Sequence, residues 1–405
     1  MNIVSIAFKL YFFNLILGFP LTLLHLLGFE VILYTRFYIA LQFLVVFSLY
    51  CLQASLTKRL MPGIDLYWLY IFSSLLLVSS LIGFLRGFPS QRILIDSGSF
   101  IAPIITYFII KNAHLNDRKL AHLKSMLIKF SKVYVFIFIV YCGLVYLLYH
   151  GYGLHFNLSF SHEFLVLSLL IFLSQFNVIY IILISLSLIL SGKRSVMLLG
   201  LICVSVYTFI DRNFRVKFFR RLIPLFILLV ALGVISIRHF NVSLLDINPT
   251  LTKVKTLNIF KKDFTPFDIP RIHEIKLAYK EYSKLPLSHL AGAGAGFQYF
   301  YYYKAGLVTE SHRRHLHCSS ISILIYFGPL FFLVFYGYFI YQLIKILKIF
   351  SSYKNSFFLS IAVYLLCYLV IFANTAYAFV VDYGFWIFLG WLSNISKNTN
   401  GISKS

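Results

Sequence analysis

Residues 158–190 read LSFSHEFLVLSLLIFLSQFNVIYIILISLSLIL. An apolar run this long exceeds the roughly 20 residues that a single helix needs to cross a bilayer. Ser174-Gln175-Phe176-Asn177 interrupts it near the middle. Whether the run is one pass or two decides the sidedness of everything that follows. Basic clusters at 111–132 and 212–221 flank the region, and short loops rich in Lys and Arg stay on the cytoplasmic side. Three apolar segments separate those clusters, 131–149, 158–190 and 195–210, and an odd number cannot return the chain to the same face. Splitting 158–190 at the polar interruption, into two short passes or a re-entrant pair, restores the parity. It also places Ser191-Gly192-Lys193-Arg194 on the outer face. Irregular backbone at that depth needs a cover of protein or a water-filled cavity. One long tilted helix is the competing arrangement.

Outward from this stretch the same pattern repeats. Apolar segments fall near 10–28, 37–56, 66–85, 93–110, 222–237, 319–343, 357–373 and 377–393. The first of them is itself a span, so no cleavable leader is required. The 405 residues are 60% hydrophobic and only 12% charged, where soluble domains carry about a quarter charged residues. The expected fold is therefore all-α: a polytopic transmembrane helical protein of about 11–12 spans. It divides into a transmembrane region (1–237), a large external loop (238–318) and C-terminal helices with a cytoplasmic tail (319–405). Basic clusters at 58–59, 111–132, 212–221 and 345–354, with the Lys-containing tail, put both termini in the cytoplasm. The formal charge of +23 is too dispersed for a nucleic-acid groove, so no nucleic-acid partner is expected. Four of the five cysteines lie inside apolar runs, which is no disulfide framework.

The segment 238–317 carries twelve Lys or Arg against six Asp or Glu. Parity places it outside, and loops beyond about 60 residues escape the charge rule. Within it, PRIHEIKLAYKEYSKLP (270–286) has the pattern of an amphipathic helix, with Ile272, Ile275, Tyr279 and Tyr282 on one face. Pro270 suits its first turn and Pro286 stops it. A loop of this size with its own helix is usually functional.

The loop ends in HRRHLHCSSISILIYFGPL (312–330), which crowds His312, Arg313, Arg314, His315 and His317 against an apolar run. His312, His315, His317 and Cys318 carry donors that suit zinc. Arg313 and Arg314 would repel a cation, and no helical i, i+4 pair of ligands is present, so no metal is expected. Counting from His317, Ile321 follows at +4 and Gly328 at +11. Arg194 offers a guanidinium with paired donors for phosphate oxygens; the plain alternative is a Lys193–Arg194 pair snorkelling at a helix end. Gly292-Ala293-Gly294-Ala295-Gly296 allows close backbone approach to a ligand, or is simply a flexible turn. Tyr299, Tyr301, Tyr302 and Tyr303 suit either a sugar-binding surface or an interfacial aromatic belt. Asp96 and Asp382 lie in apolar segments, where a carboxylate normally has a partner. Arg86, Arg92 and Lys193 are the candidates.

Taken together, these stretches resemble the O-antigen polymerase and O-antigen ligase superfamily. The likeness rests on the histidine at 317 with its hydrophobic +4 and glycine +11 spacing, and on the Ser-x-x-Arg turn ending at Arg194. It rests also on the order of Arg271, a helix, Pro286-Leu287 and a glycine-rich turn ahead of that histidine. It covers mainly residues 170–340. Cys318 replaces the usual Asn or Ser after the histidine, and the tryptophan common after the arginine is missing. The resemblance implies a metal-independent glycosyltransferase in the bacterial inner membrane, with no cofactor. Donor and acceptor would be undecaprenyl-pyrophosphate-linked glycans. His317 would be the base; Arg194, Arg271 and, more weakly, Lys193 would hold pyrophosphate. His315, Arg313, Arg314, Gly294 and Gly296 would be auxiliary. A chain-length regulator and a flippase would be pathway partners. Degenerate loop motifs favour a polymerase of oligosaccharide repeat units, for O-antigen or capsule, over a ligase. A lipid-linked oligosaccharide flippase is the third reading, but it predicts repeat symmetry and short loops.

Overall fold

The computed structural model describes residues 3–26, 32–57, 61–152, 163–191, 194–217, 269–301, 311–313, 318–372 and 382–402. The protein is an all-α polytopic membrane protein. Five of its described helices are long and apolar enough to cross a bilayer: Ile3–Leu21, Gly63–Leu85, Ser90–Lys111, Asp117–Val145 and Ser319–Ser352. Shorter apolar helices cover Leu41–Leu52, Glu163–Gln175, Val178–Leu188, Ser195–Ile210 and Ser356–Val370. The segment 222–237 lies outside the described residues. We number the helices α1 (Ile3–Leu26), α2 (Ile32–Thr57), α3 (Gly63–Leu85), α4 (Ser90–Lys111), α5 (Asp117–Tyr152), α6 (Glu163–Gln175), α7 (Val178–Ser191), α8 (Arg194–Ile210) and α9 (Arg212–Lys217). There follow α10 (Ile269–Ser283), α11 (Ser288–Ala291), α12 (Ser319–Ser352), α13 (Ser356–Cys367, continued by a π-turn over Tyr368–Phe372) and α14 (Tyr383–Ile402).

The run 158–190 is broken at the polar interruption. Phe176 takes a left-handed φ of 54°, and Asn177 opens α7, its side chain accepting from the Tyr180 amide at 3.5 Å. Asparagine at a helix start satisfies an otherwise orphaned amide. Phe172 and Tyr180 stack across the turn at 4.6 Å, so α6 and α7 form a hairpin. At 13 and 14 residues, each arm reaches only about 20 Å, short of the roughly 30 Å hydrocarbon core. Residues 164–173 are buried all round, as expected of a helix apolar on every face.

The C-terminal helix α14 forms the axis of the bundle, packed by α1, α4, α12 and α13. Trp386 and Trp391 are fully buried. Phe8 of α1 meets Phe388 and Trp391 edge-on at 5.1 and 5.2 Å, and Phe339 of α12 meets Trp386 at 4.8 Å. Lipid supplies little hydrophobic drive for helices to associate, so such interlocking carries much of the cohesion.

Polar groups sort to the two ends of this bundle. At one end Asp65 accepts from Lys111 at 2.7 Å and from Lys397 at 2.9 Å. Asn394 lies against the carbonyls of Ile110, Lys111 and Ala113. Ser356 donates to Asp211 at 2.7 Å, Lys124 covers the Phe357 ring at 4.8 Å, and Phe176 of the α6–α7 turn touches Phe214 at 5.3 Å. The described parts of the clusters 111–132, 212–221, 345–354 and the tail share this end, as the charge parity expected. The α3–α4 turn and the segment 269–301 share the other; the two ends are called inner and outer after the sidedness expected from the basic clusters.

Candidate functional site

The outer end is built around α12. Its 34 residues would measure about 51 Å if straight, far more than a bilayer needs. Gly328, at φ 81° and ψ 170°, breaks it just before Pro329. The +11 glycine counted from His317 is thus the point at which the helix kinks. Proline has no amide to offer and the kink frees carbonyls, which cannot be left bare within a membrane. The loop supplies their partners. The Ala293 amide donates to the Ile325 carbonyl at 2.6 Å and the Gly294 amide to that of Tyr326 at 2.9 Å. Ala295 continues the strap onto α3, donating to the Ser79 carbonyl at 3.1 Å.

Glycine is required here for contact with other backbone. Gly292, Gly294 and Gly296 all have positive φ, and 292–297 are buried. A Cβ on Gly294 would lie 2.5 Å from the Gly83 nitrogen, and one on Gly292 would lie 2.5 Å from the Gly328 nitrogen. A Cβ on Gly83 would collide with the Ala295 carbonyl. The close approach that GAGAG permits is thus to α3 and α12.

Side chains then clamp the strap. Arg86, just past α3, donates to the carbonyls of Gly292, at 2.7 Å, and of Pro286. Arg92 donates to Gln298. Asp96 accepts from the Gly296 amide at 2.8 Å; of the cations expected near it, Arg86 and Arg92 donate to the strap and to Gln298, and Lys193 lies outside the described residues. Asp382 instead sits ahead of α14, accepting from the Gly384 amide at 2.9 Å. The Tyr326 hydroxyl donates to the Phe297 carbonyl at 3.0 Å.

Helix α10 forms where PRIHEIKLAYKEYSKLP predicted it, but its inner face differs. Glu274, Ala278 and Tyr282 are buried, and Tyr279 is 53% exposed. Glu274 turns inward because the Tyr299 hydroxyl donates to its carboxylate at 2.7 Å, which offsets the cost of burying it. Tyr282 donates to the Ser288 carbonyl at 2.7 Å; burial pushes its hydroxyl above the ordinary tyrosine range, keeping it a donor. A short ribbon, unforeseen in the sequence, pairs β1 (Tyr299–Tyr301) with β2 (Ser311–Arg313), setting Tyr299 opposite Arg313 and Phe300 opposite His312.

Of the residues singled out from sequence, Arg194 is the first residue of α8, at the bundle end opposite the α6–α7 turn. Arg271 lies in the first turn of α10, and Arg313 ends β2; the side chains of all three are outside the described part. Lys193, Arg314, His315 and His317 lie outside the described residues. Gly294 and Gly296 belong to the strap. Sequence reasoning missed Ser79, Gly83 and Gln298, and it singled out Arg86 as a carboxylate partner rather than as the clamp of the strap. Ser79-x-x-x-Gly83 is a spacing of small residues that allows close backbone approach between membrane segments, and it was the available signal. No family model matches the chain, and no curated protein matches it.

Proposed function

We propose that the protein polymerises undecaprenyl-pyrophosphate-linked oligosaccharide repeat units at the external face of a bacterial inner membrane, making O-antigen or capsular polysaccharide. The observation that supports the reading is that three marked positions lie toward one end of the bundle. Arg194 opens α8 at the outer end. Arg271 lies in the first turn of α10, which Glu274 ties to Tyr299 and Tyr282 to the Ser288 carbonyl, on either side of the strap. Cys318, directly after His317, leads into α12 there.

In this mechanism His317 takes the proton of an acceptor sugar hydroxyl; a neutral imidazole is available for this near pH 7. The freed oxygen bonds to the anomeric carbon of the donor as the bond from that carbon to pyrophosphate oxygen breaks, with inversion. Undecaprenyl pyrophosphate departs with its charge held by Arg194 and Arg271. Arg86 and Arg92 already serve protein acceptors, so the pyrophosphate sites are placed on other cations.

A ladder gel of extracted polysaccharide, at matched expression, tests the proposal. His317→Ala abolishes chain extension and lipid-linked single repeats accumulate, while His315→Ala retains substantial polymer. Arg194→Lys loses most activity, because an ammonium lacks the two-point grip on phosphate. A full ladder from His317→Ala removes that residue as the base. Loss of polymer attachment to its final acceptor, with the ladder intact, assigns the protein to the ligases instead.

A further inference from the structure

Residues 286–291 join α10 to the glycine strap, and they turn large apolar side chains outward. Leu287 is 73% exposed and Leu290 72%. Leu287 holds a left-handed φ of 56°, a setting that costs a non-glycine residue about 1 kcal/mol or more. Leaving two leucines in water forgoes roughly 1.5–3 kcal/mol each relative to burial. What surrounds them is itself lipid-facing. Arg86 holds the ends of this segment through Pro286 and Gly292, and the residues just before Arg86, Phe84 and Leu85, are 66% and 83% exposed at the end of a span.

The strap's bonds fix the depth. Ser79, the acceptor for Ala295, lies about 9 Å inside the end of α3 at 1.5 Å per residue. Gly292 packs against the α12 kink beside the Tyr326 carbonyl, which also accepts from Ser79. Leu290, two residues earlier, is at most about 7 Å away even along an extended chain. It stays within the apolar layer or at its edge. Exposed Tyr279, Lys280 and Lys284 precede it on the α10 side, and the exposed His289 lies within it between the two leucines, the mixture found where a segment lies at the level of the headgroups.

We propose that 286–291 is a membrane-embedded foot of the external loop, with Leu287 and Leu290 sunk among the acyl chains on that side of the bilayer. The foot continues the lipid-facing stripe of α3 and holds α10 down on the membrane plane. It stands independently of the reaction assigned above.

Power-saturation spin-label measurements test it. A nitroxide is placed at 287 or 290 as the single cysteine of the full-length chain in phosphatidylethanolamine–phosphatidylglycerol vesicles. Positions 84 and 283 are the lipid and water references. The expected ratio of oxygen to nickel-chelate collisions at 287 and 290 matches that at 84 and exceeds that at 283. A ratio at 290 equal to that at 283 overturns the foot. If the cysteine-free chain fails to fold, Leu290→Trp in the native-cysteine protein gives the second readout. Its fluorescence gains quenching, over that of the wild type, from lipids brominated near the top of the acyl chain; no gain overturns the proposal.

Discussion

The two ends of the bundle are closed by different physics. At the inner end charges do the closing: a buried carboxylate, Asp65, holds Lys111 and Lys397 from two other helices. At the outer end backbone does it: amides of a glycine strap take up the carbonyls of a broken helix, and Gly83, Gly292, Gly294 and Gly328 leave no room for side chains. A charge lock depends on which groups are ionised and paired. A backbone lock depends on volume and on φ. The difference also separates what each end is free to do, because the outer lock leaves its shape to the loop that carries the candidate chemistry.

The largest effect is expected from Asp65→Ala, which leaves the Lys111 ammonium buried without its carboxylate and costs about 3–5 kcal/mol. Thermal unfolding in detergent measures it. Adding Lys111→Met should recover most of the loss, since removing both charges of a buried pair is often near neutral. Failure of that rescue would mean that the inner end is held mainly by packing.

Gly294→Val comes next, at about 3 kcal/mol, combining strain at φ 91° with overpacking against Gly83. No charge change at Arg86 or Asp96 should rescue it. Limited proteolysis of the loop reads it out alongside the melting temperature. Unchanged proteolysis would show that the strap tolerates volume after all.

Lys397→Met should cost no more than about 1 kcal/mol, because that side chain is 39% exposed and water screens its pairing. A loss as large as that of Asp65→Ala would make the tail, rather than Lys111, the main partner of Asp65.

Much of this contrast was legible in the sequence. Positive charge sorts loops by side, so the basic clusters and the break at Ser174–Asn177 identified which turns share an end. The helix at 270–286 followed from its prolines and periodicity. Its inward face did not follow, because a buried Glu274 depends on Tyr299, 25 residues away. The strap was equally hidden. GAGAG showed a need for close approach but not to what, since the matching glycines at 83 and 328 lie in separate helices. The kink at Gly328-Pro329 was present as residue types, yet its consequence, two carbonyls served by the loop, belongs to tertiary structure.

The central claim is that the chain has two such ends on opposite sides of the membrane, with 158–190 entering and returning to the same side as a hairpin. Single cysteines at positions 192, 283 and 116, in otherwise cysteine-free protein in sealed vesicles of known orientation, test it with a membrane-impermeant thiol reagent. The account predicts that 192 and 283 label from the same side, and that 116 labels only when the vesicles are opened or inverted. Labelling of 192 together with 116, and apart from 283, would mean that the run crosses once and would contradict it.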